Sequence, residues 1–260
     1  MVMTSSTADY YFRIFVIGNG VTGKSTAYTL RILRENCIDI NNKDSIEPAD
    51  YYIICLPTPT INGRQDISAI EEWMPKLKKL NKDALVILRS TVLPGTTGKL
   101  IKKYGMQIVF VPEFLTESSA LYDSQNPEFM VIGSSDILAR NAVYSIFKPY
   151  VNTKLWITCN STTAETVKYA MNSFFALKVI YANQLWDLCV KAGADYGKIR
   201  EALETHKWGS KNGWDVWHNC KRGYSGKCLP KDVEALVNFA DLPLLETMDK
   251  INKELLKNKK

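Results

Sequence analysis

The stretch GNGVTGKST, residues 18–26, satisfies two phosphate-binding patterns at once. With Gly18, Gly20 and Gly23 as fixed points it is the GxGxxG turn of a dinucleotide-binding fold. With Gly18, Gly23, Lys24 and Ser25 it is the GxxxxGK[ST] loop of a nucleoside-triphosphatase. In both, the glycines follow an apolar strand, FRIFVIG, and open a helix whose free N–H groups and dipole attract phosphate. Residues further along decide. A triphosphatase also needs an acid ending a second apolar strand to hold magnesium, yet YYIIC runs into Leu56 and Pro57 and LVIL into Arg89 and Ser90. A dinucleotide fold instead needs an acid about 20 residues on, at the end of the second strand, for the ribose hydroxyls. Asp39 in CIDI stands 21 residues past Gly18. The dinucleotide reading is preferred, which makes Lys24 and Ser25 incidental helix residues. An acid here, rather than an arginine, also favours NAD over NADP. The plainer alternative for Asp39 is that it starts the polar turn INNKDS.

Outward from this turn, short β-rich runs (FRIFVIG, CIDI, YYIICLP, ALVILRS, QIVFVPE, FMVIG and KLWIT) alternate with helical patterns, one reaching Arg34 and another around residues 70–80. Strand and helix in alternation predict an α/β, Rossmann-like doubly wound sheet over residues 1–158. After Ser161 the character changes. AETVKYAMNSFFALKVIYANQLWDLCVKAG carries apolar residues at helical spacing with no proline or glycine until Gly193, which predicts one long helix. Further helical patterns follow at DYGKIREALETH, KDVEALVNFA and LLETMDKINKELLKNKK, with a Trp- and Gly-rich loop between the first two. Residues 159–260 are therefore expected to form an all-α domain built on the long helix. No internal repeat is visible.

With 260 residues, 46% of them hydrophobic and 23% charged, the chain can bury one good core and a smaller second one, and disorder is disfavoured. MVMTSSTADYYF lacks a basic start followed by an apolar run, and no stretch approaches about 20 uninterrupted apolar residues. A cytoplasmic protein with no membrane partner is expected. Cys37, Cys55, Cys159, Cys189, Cys220 and Cys228 form no CxxC pair, so reduced thiols are the default. The net charge of +6 suits an anionic ligand, but no nucleic-acid module is recognisable. His206, His218 and Cys220 fit no zinc spacing, so no metal is expected.

The segment richest in chemistry is GYSGKCLPKD, residues 223–232. Pro230 suits the first turn of a helix, which leaves Cys228 just before a helix N-terminus with Lys227 and Lys231 beside it. All three influences favour thiolate, and a core cysteine rarely sits between lysines in a glycine-rich loop, so Cys228 is read as a nucleophile. Lys168 and Asn172, four apart in the long helix, project from one face and could stabilise an oxyanion; an ordinary solvated face is the alternative. Glu113 and Glu117 in VPEFLTE lie just past an apolar strand, the end where ligands of such sheets bind, and suit general base work or helix capping. Trp208, Trp214 and Trp217 could stack on a base while Lys211, Lys221 and Arg222 meet a diphosphate; alternatively the tryptophans pack the helical domain.

Taken together, FVIGNGVTG, YYIICLPTPT, LRSTVLPGTT, VPEFLTESSALYDSQNPEFMVIG, TAETVKYAMNSFFALKVIYANQL and GYSGKCLPKDVEAL resemble, in order, motifs of the UDP-glucose/GDP-mannose (nucleotide-sugar) dehydrogenase family. The resemblance runs from about Phe12 to the C-terminus. It implies oxidation of a nucleotide-sugar C6 alcohol to a carboxylate with two NAD molecules, through a thiohemiacetal and a thioester on Cys228. It further implies that Lys168 and Asn172 hold the oxyanion, Asp232 assists proton transfer, Glu113 is the acid/base residue for hydrolysis and Thr91 helps position water. Gly18, Gly20, Gly23, Asp39, Leu56, Pro57, Thr58, Pro59, Thr60, Ser90 and Glu117 would contact NAD. Phe114, Leu115, Gly223 and Tyr224 would contact the substrate. The family also implies a homodimer through the long helix, with UDP-glucose the leading substrate and GDP-mannose and UDP-N-acetylmannosamine behind.

The match departs from the pattern in three places. Only residues 41–50 separate the second and third strands, where the family has a longer helical excursion, so that connection is expected to be trimmed. The chain ends at PLLETMDKINKELLKNKK, similar to the family's PLLExxxxxN helix, so the C-terminal domain that helps clamp the nucleotide is expected to be absent. Lys227 and Leu229 replace the family's serine and phenylalanine. Rival readings stay open: a nucleotide-sugar-binding or regulatory protein that lost turnover, a one-step dehydrogenase of a small hydroxy acid, which leaves Cys228 unexplained, and the triphosphatase.

Overall fold

Strand β1, Ile14–Ile17, is buried at all four positions, and its side chains alternate between two cores. Phe15 and Ile17 enter one with Ile70, Trp73, Met74 and Leu77 of helix α2, Ser68–Leu80. Ile14 and Val16 enter the other with Ala27 of α1, Val21–Thr29, and with Ala139, Val143, Ile146 and Phe147 of α5, Ile137–Phe147. A strand covered on both faces reads as a continuous apolar run, which is the signature of a doubly wound sheet. The computed structural model describes residues 12–41, 46–218 and 220–257. Most of the N-terminal segment and residues 42–45 of the INNKDS turn lie outside that range.

The chain divides into two compact units: residues 1–59 with 65–168, and residues 60–64 with 169–260. The first holds a seven-stranded sheet of order β2-β1-β3-β6-β7-β8-β9. After β1 these are β2 (Cys37–Ile38), β3 (Tyr51–Ile54), β6 (Leu85–Leu88), β7 (Gln107–Phe110), β8 (Phe129–Gly133) and β9 (Leu155–Cys159). Neighbours pair in parallel except β7 with β8. Because β2 lies on one side of β1 and β3 on the other, winding reverses at β1, and the carboxyl ends of β1 and β3 flank the switch point where such sheets take ligands. Between β3 and β6 the strands β4 (Thr60–Ile61) and β5 (Arg64–Gln65) form a ribbon. Helix α3, Thr96–Tyr104, and the short α4, Ala120–Gln125, complete the unit.

The sequence pattern misplaces two boundaries. Helix α1 stops at Thr29, short of Arg34, because Arg31 adopts φ 55° and the chain closes a Schellman turn: Arg31 N–H donates to Tyr28 O and Ile32 N–H to Ala27 O. Ala27 and Ile32 then pack in the same core. An arginine in a place that glycine usually fills hides the stop. Strand β2 ends at Ile38, so residues 39–50 lead to β3, longer than expected and without a helix among the described residues. Pro75 inside α2 removes the N–H that would reach Glu71 O, and the Tyr104 hydroxyl donates to that carbonyl instead at 3.3 Å.

Helix α6, Ser161–Ala192, is unbroken as its sequence predicts and ends at Gly193, φ 68°, where Ala194 N–H returns to Cys189 O. The second unit contains α6 from Tyr169, then α7 (Tyr196–Thr205), α8 (Leu229–Phe239) and α9 (Pro243–Lys257). It also carries a ribbon that the helical pattern does not disclose, β10 (Trp217–His218) against β11 (Lys221–Arg222). Two cores hold it: Ala176, Val179, Ile180, Tyr224, Val233 and Met248, and around Trp214 the residues Ala182, Cys189, Tyr196 and Val216. No described helix is long and apolar enough to cross a membrane.

Candidate active site

The glycine turn takes its shape from two close approaches. Gly18 stands at φ 107°, and a methyl group there would overlap the Cys55 carbonyl; one at Gly23 would overlap the Gly18 carbonyl. These two glycines let β1 turn tightly and let α1 pack on the end of β3. Gly20 is different, because a methyl there meets no atom within 4 Å. Its open side is the place where a backbone can approach a diphosphate, and the cradle fits a dinucleotide. Lys24 is exposed, while the Ser25 hydroxyl is buried and donates to Thr22 O at 3.0 Å. Asp39 lies just beyond β2, exposed, with Oδ1 accepting from Asn41 N–H at 3.0 Å. It follows the second strand directly and opens a turn.

Beyond β3, Leu56 and Thr58 are buried and Pro57 and Pro59 exposed. The loop is tied to the segment after β6: Leu56 N–H donates to the Ser90 hydroxyl at 2.8 Å, and the hydroxyl of Thr58 and the amide of Gln65 both reach Thr91 O. Ser90 and Thr91 are buried. The Thr60 hydroxyl instead donates to Lys231 O and Gly63 N–H to Glu234, so the ribbon tip belongs with α8 in the second unit.

In the first unit Glu113 meets Lys168. The Lys168 ammonium donates to Glu113 O at 2.5 Å and pairs with Glu113 Oε1 at 3.4 Å, both side chains largely buried. Glu113 Oε2 accepts from Leu115 N–H at 3.0 Å. Burial alone would raise the Glu113 carboxyl, but the Lys168 charge, the Leu115 N–H and the Arg89 guanidinium together hold it below the ordinary carboxylate range. Phe114 packs on Phe129 at 4.9 Å between ring centres, with the Lys168 ammonium 5.2 Å from its centre. Glu117 lies in a short 3-10 helix, Glu117–Ser119, after a loop without helical structure. Glu165, at 0% exposure, is a residue that sequence reasoning passed over. Its carboxylate accepts from Gly95 N–H at 2.5 Å and Thr97 N–H at 2.7 Å, capping α3 from α6.

The second unit holds Cys228, Asn172 and Asp232. Cys228 is exposed at the N-cap of α8, with Pro230 in the first turn and Asp232 N–H on its carbonyl. Asp232, 2% exposed, accepts from the Asn172 amide at 2.6 Å and from the Lys231 ammonium at 2.5 Å. Lys231, noticed in the sequence only as a neighbour of the thiol, is thus the partner that compensates a buried carboxylate. Lys168 and Asn172, four residues apart in α6, each engage one of the two acids, Glu113 and Asp232.

The residues predicted to meet substrate fare unevenly. Lys211 and Lys221 are exposed. Arg222 directs its guanidinium to both oxygens of Asp187 and to Asn183. Tyr224 is buried, its N–H on Asn252 and its hydroxyl on Asp249, and a methyl at Gly223 would strike Asn252. Of the tryptophans, Trp214 is buried with its indole N–H on Ser210 O, and Trp208 and Trp217 are exposed. Elsewhere burial pushes the Cys55 thiol up to about 12, which leaves it inert, in contrast to the accessible Cys228.

Residues 37–151 match the model described as the UDP-glucose/GDP-mannose dehydrogenase family, NAD binding domain, and residues 162–254 match that family's central domain. The glycine turn precedes the first match, so its reading stands on geometry. A UDP-glucose 6-dehydrogenase of Rickettsia typhi is 30% identical over 228 residues, which are 83% of this chain and 50% of that one. A UDP-glucose 6-dehydrogenase of Bacillus subtilis is 31% identical over 243 residues, 85% of this chain and 54% of the other. The chain spans about half the length of these curated relatives. A UDP-glucose dehydrogenase structure from the archaeon Pyrobaculum islandicum superposes with a TM-score of 0.82 at 21% identity, over 96% of this chain and 70% of that one, a likeness of fold.

Proposed function

Since this chain belongs to the UDP-glucose/GDP-mannose dehydrogenase family, we propose that it oxidises the C6 alcohol of a nucleotide-sugar to the carboxylate, UDP-glucose to UDP-glucuronate being the leading case. The observation that carries the reading is Cys228, exposed at the N-terminus of α8, in the unit that buries Asp232 against Asn172 and Lys231. A protein that only bound the nucleotide-sugar would have no use for such a thiol.

NAD, when bound, accepts a hydride in each of the two oxidations. Gly18, Gly20, Gly23 and Asp39 would hold it, with the loops after β3 and β6. The residues of the chain supply the rest. The Cys228 thiolate adds to the aldehyde carbonyl, forming the C–S bond of a thiohemiacetal. Lys168 and Asn172 donate N–H groups to the oxyanion, and Asp232 carries the proton that leaves the thiol and the hydroxyl. Loss of hydride from the thiohemiacetal carbon leaves a thioester. Glu113, held as a carboxylate, takes a proton from the water that attacks the thioester carbon; the C–S bond breaks, and acid and Cys228 thiol are released. Thr91 helps place that water.

The test follows NADH and product mass with purified protein, NAD and a panel of UDP- and GDP-sugars. Two NADH per sugar with a uronic acid product is expected, and Cys228→Ala should lose acid formation while retaining oxidation to the aldehyde. Full acid output from Cys228→Ala would sink the nucleophile assignment. Tight NAD binding without NADH from any sugar would transfer the reading to a binding protein.

The long helix supports a homodimer. Met171, Phe174, Tyr181 and Leu188, spaced by three, seven and seven residues, share one exposed face of α6 with exposures of 42–57%. Light scattering should give twice the chain mass, and Phe174→Glu with Tyr181→Glu should give a monomer. A monomeric parent would refute this reading.

A further inference from the structure

Three neighbouring parallel strands are each followed, within three residues of their carboxyl ends, by a titratable side chain. Ile53 of β3, Ile87 of β6 and Val109 of β7 face one core, which Cys55 and Val111 join just past their strands, and Glu113 follows two residues after Val111. Arg89 directly follows β6, the middle strand of the three. It is 5% exposed and lies over the Phe147 ring, 5.4 Å from its centre, with Nε and Nη1 buried and without hydrogen-bond partners among the described residues. Among the described residues it makes no ion pair; such a buried guanidinium is costly, and a fold that retains one places its charge where another group gains. Of the groups around it, Cys55 is a neutral thiol, and Cys37 beyond it is likewise raised by burial. Among the described residues Glu113 is a carboxylate that its charge acts on, and Glu113 also pairs with Lys168.

We propose that Arg89 is a positioning residue for Glu113: its buried guanidinium acts through space, jointly with the directly bonded Lys168, to keep Glu113 a charged base oriented for attack of water on the acyl-enzyme. Lys168 on Oε1 and Leu115 N–H on Oε2 fix where the carboxylate lies, and the arginine adds a second positive charge without occupying a carboxylate oxygen. Each oxygen already has a donor, Oε1 from Lys168 and Oε2 from Leu115. For turnover the inference rests on the reading of Glu113 proposed above; for Glu113 itself it does not.

The test is therefore a titration of the Glu113 carboxyl by carbon NMR in protein labelled at glutamate, with the signal assigned by its loss in Glu113→Gln. In Arg89→Met, of similar length and uncharged, the Glu113 titration should move up by about one pH unit or more, as expected for loss of a nearby opposite charge. In Arg89→Lys, which keeps the charge but not the fork, it should stay within about half a unit of the parent. An unmoved titration in Arg89→Met overturns the inference. If Arg89→Met does not fold, an upward move in Arg89→Lys overturns it and an unmoved one supports it. If the parent turns over, the acid limb of its kcat profile should shift with the NMR titration in Arg89→Met. A parent without turnover refutes the proposed reaction while leaving the titration to decide on Arg89.

Discussion

Substituting Gly20 with alanine separates folding from cofactor binding. Gly20 is the N-cap of α1, at φ −80° and ψ −169°, a conformation that alanine adopts freely, and a methyl group there touches nothing within 4 Å. Alanine is a poorer N-cap than glycine by a few tenths of a kcal/mol to about 1 kcal/mol. The lower entropy of its unfolded chain returns about 0.4–1 kcal/mol. The two terms nearly cancel, and the thermal midpoint should move little. If the open side of Gly20 is where a diphosphate approaches the backbone, the added methyl occupies that space at a cost of about 1–3 kcal/mol, the range for overpacking a fitted contact. That converts to a roughly 5- to 150-fold weaker NAD affinity at about 1.4 kcal/mol per tenfold. Isothermal calorimetry with NAD and a thermal melt, run on the same preparation, read both quantities. Gly23→Ala is the control of opposite sign, because its methyl overlaps the Gly18 carbonyl and should lower the melting midpoint itself. Unchanged NAD affinity in a fully stable Gly20→Ala would refute the geometric reading of the turn.

Four further expectations concern stability. Glu165→Ala should cost about 2–4 kcal/mol in urea unfolding, since it leaves the Gly95 and Thr97 N–H groups without their charged acceptor; a cost under about 0.5 kcal/mol would mean that water replaces it. Arg31→Gly should stabilise by about 0.5–1 kcal/mol by relieving a left-handed residue, and a loss on chemical denaturation would show that the Arg31 stack on Tyr150 matters more. Tyr104→Phe should cost about 1 kcal/mol because Glu71 O loses the donor that substitutes for Pro75, detectable as a lower urea midpoint at unchanged slope. Glu113 is held below its unfolded pKa, so its contribution is fully present above about pH 4.3 and is lost as pH falls through the lower folded value. Urea midpoints of the parent should therefore drop across that window, and Lys168→Met should flatten the drop; equal slopes in the two proteins would contradict the pairing.

Much of this molecule is readable along the chain because the signals are local. Four-residue strands buried on both faces can only be runs such as IFVI, YYII and LVIL, and a helix of 32 residues with glycine only at its end declares itself by period. Gly18 and Gly23 are legible for the same reason: the backbone torsion and the close helix packing they allow are properties of a few consecutive residues. Cys228 at the head of α8 follows from Pro230 in the first turn. The stop of α1 was not legible, because Arg31 takes the left-handed place on the strength of the Ala27 and Ile32 packing around it.

The charge relations had to wait for the fold. Glu113 with Lys168, Glu165 with the head of α3, and Asn172 and Lys231 on Asp232 join residues up to 70 positions apart, except for the adjacent Lys231. Spacing along one helix shows that Lys168 and Asn172 share a direction, but not which acid each meets. The same holds for Arg222, a plausible diphosphate ligand by composition, whose guanidinium the turn of β10 into β11 delivers to Asp187. Local torsion and period are written into consecutive residues. The state of a buried charge depends on every group that packing brings within a few ångströms of it, and that is assembled only when the chain closes on itself.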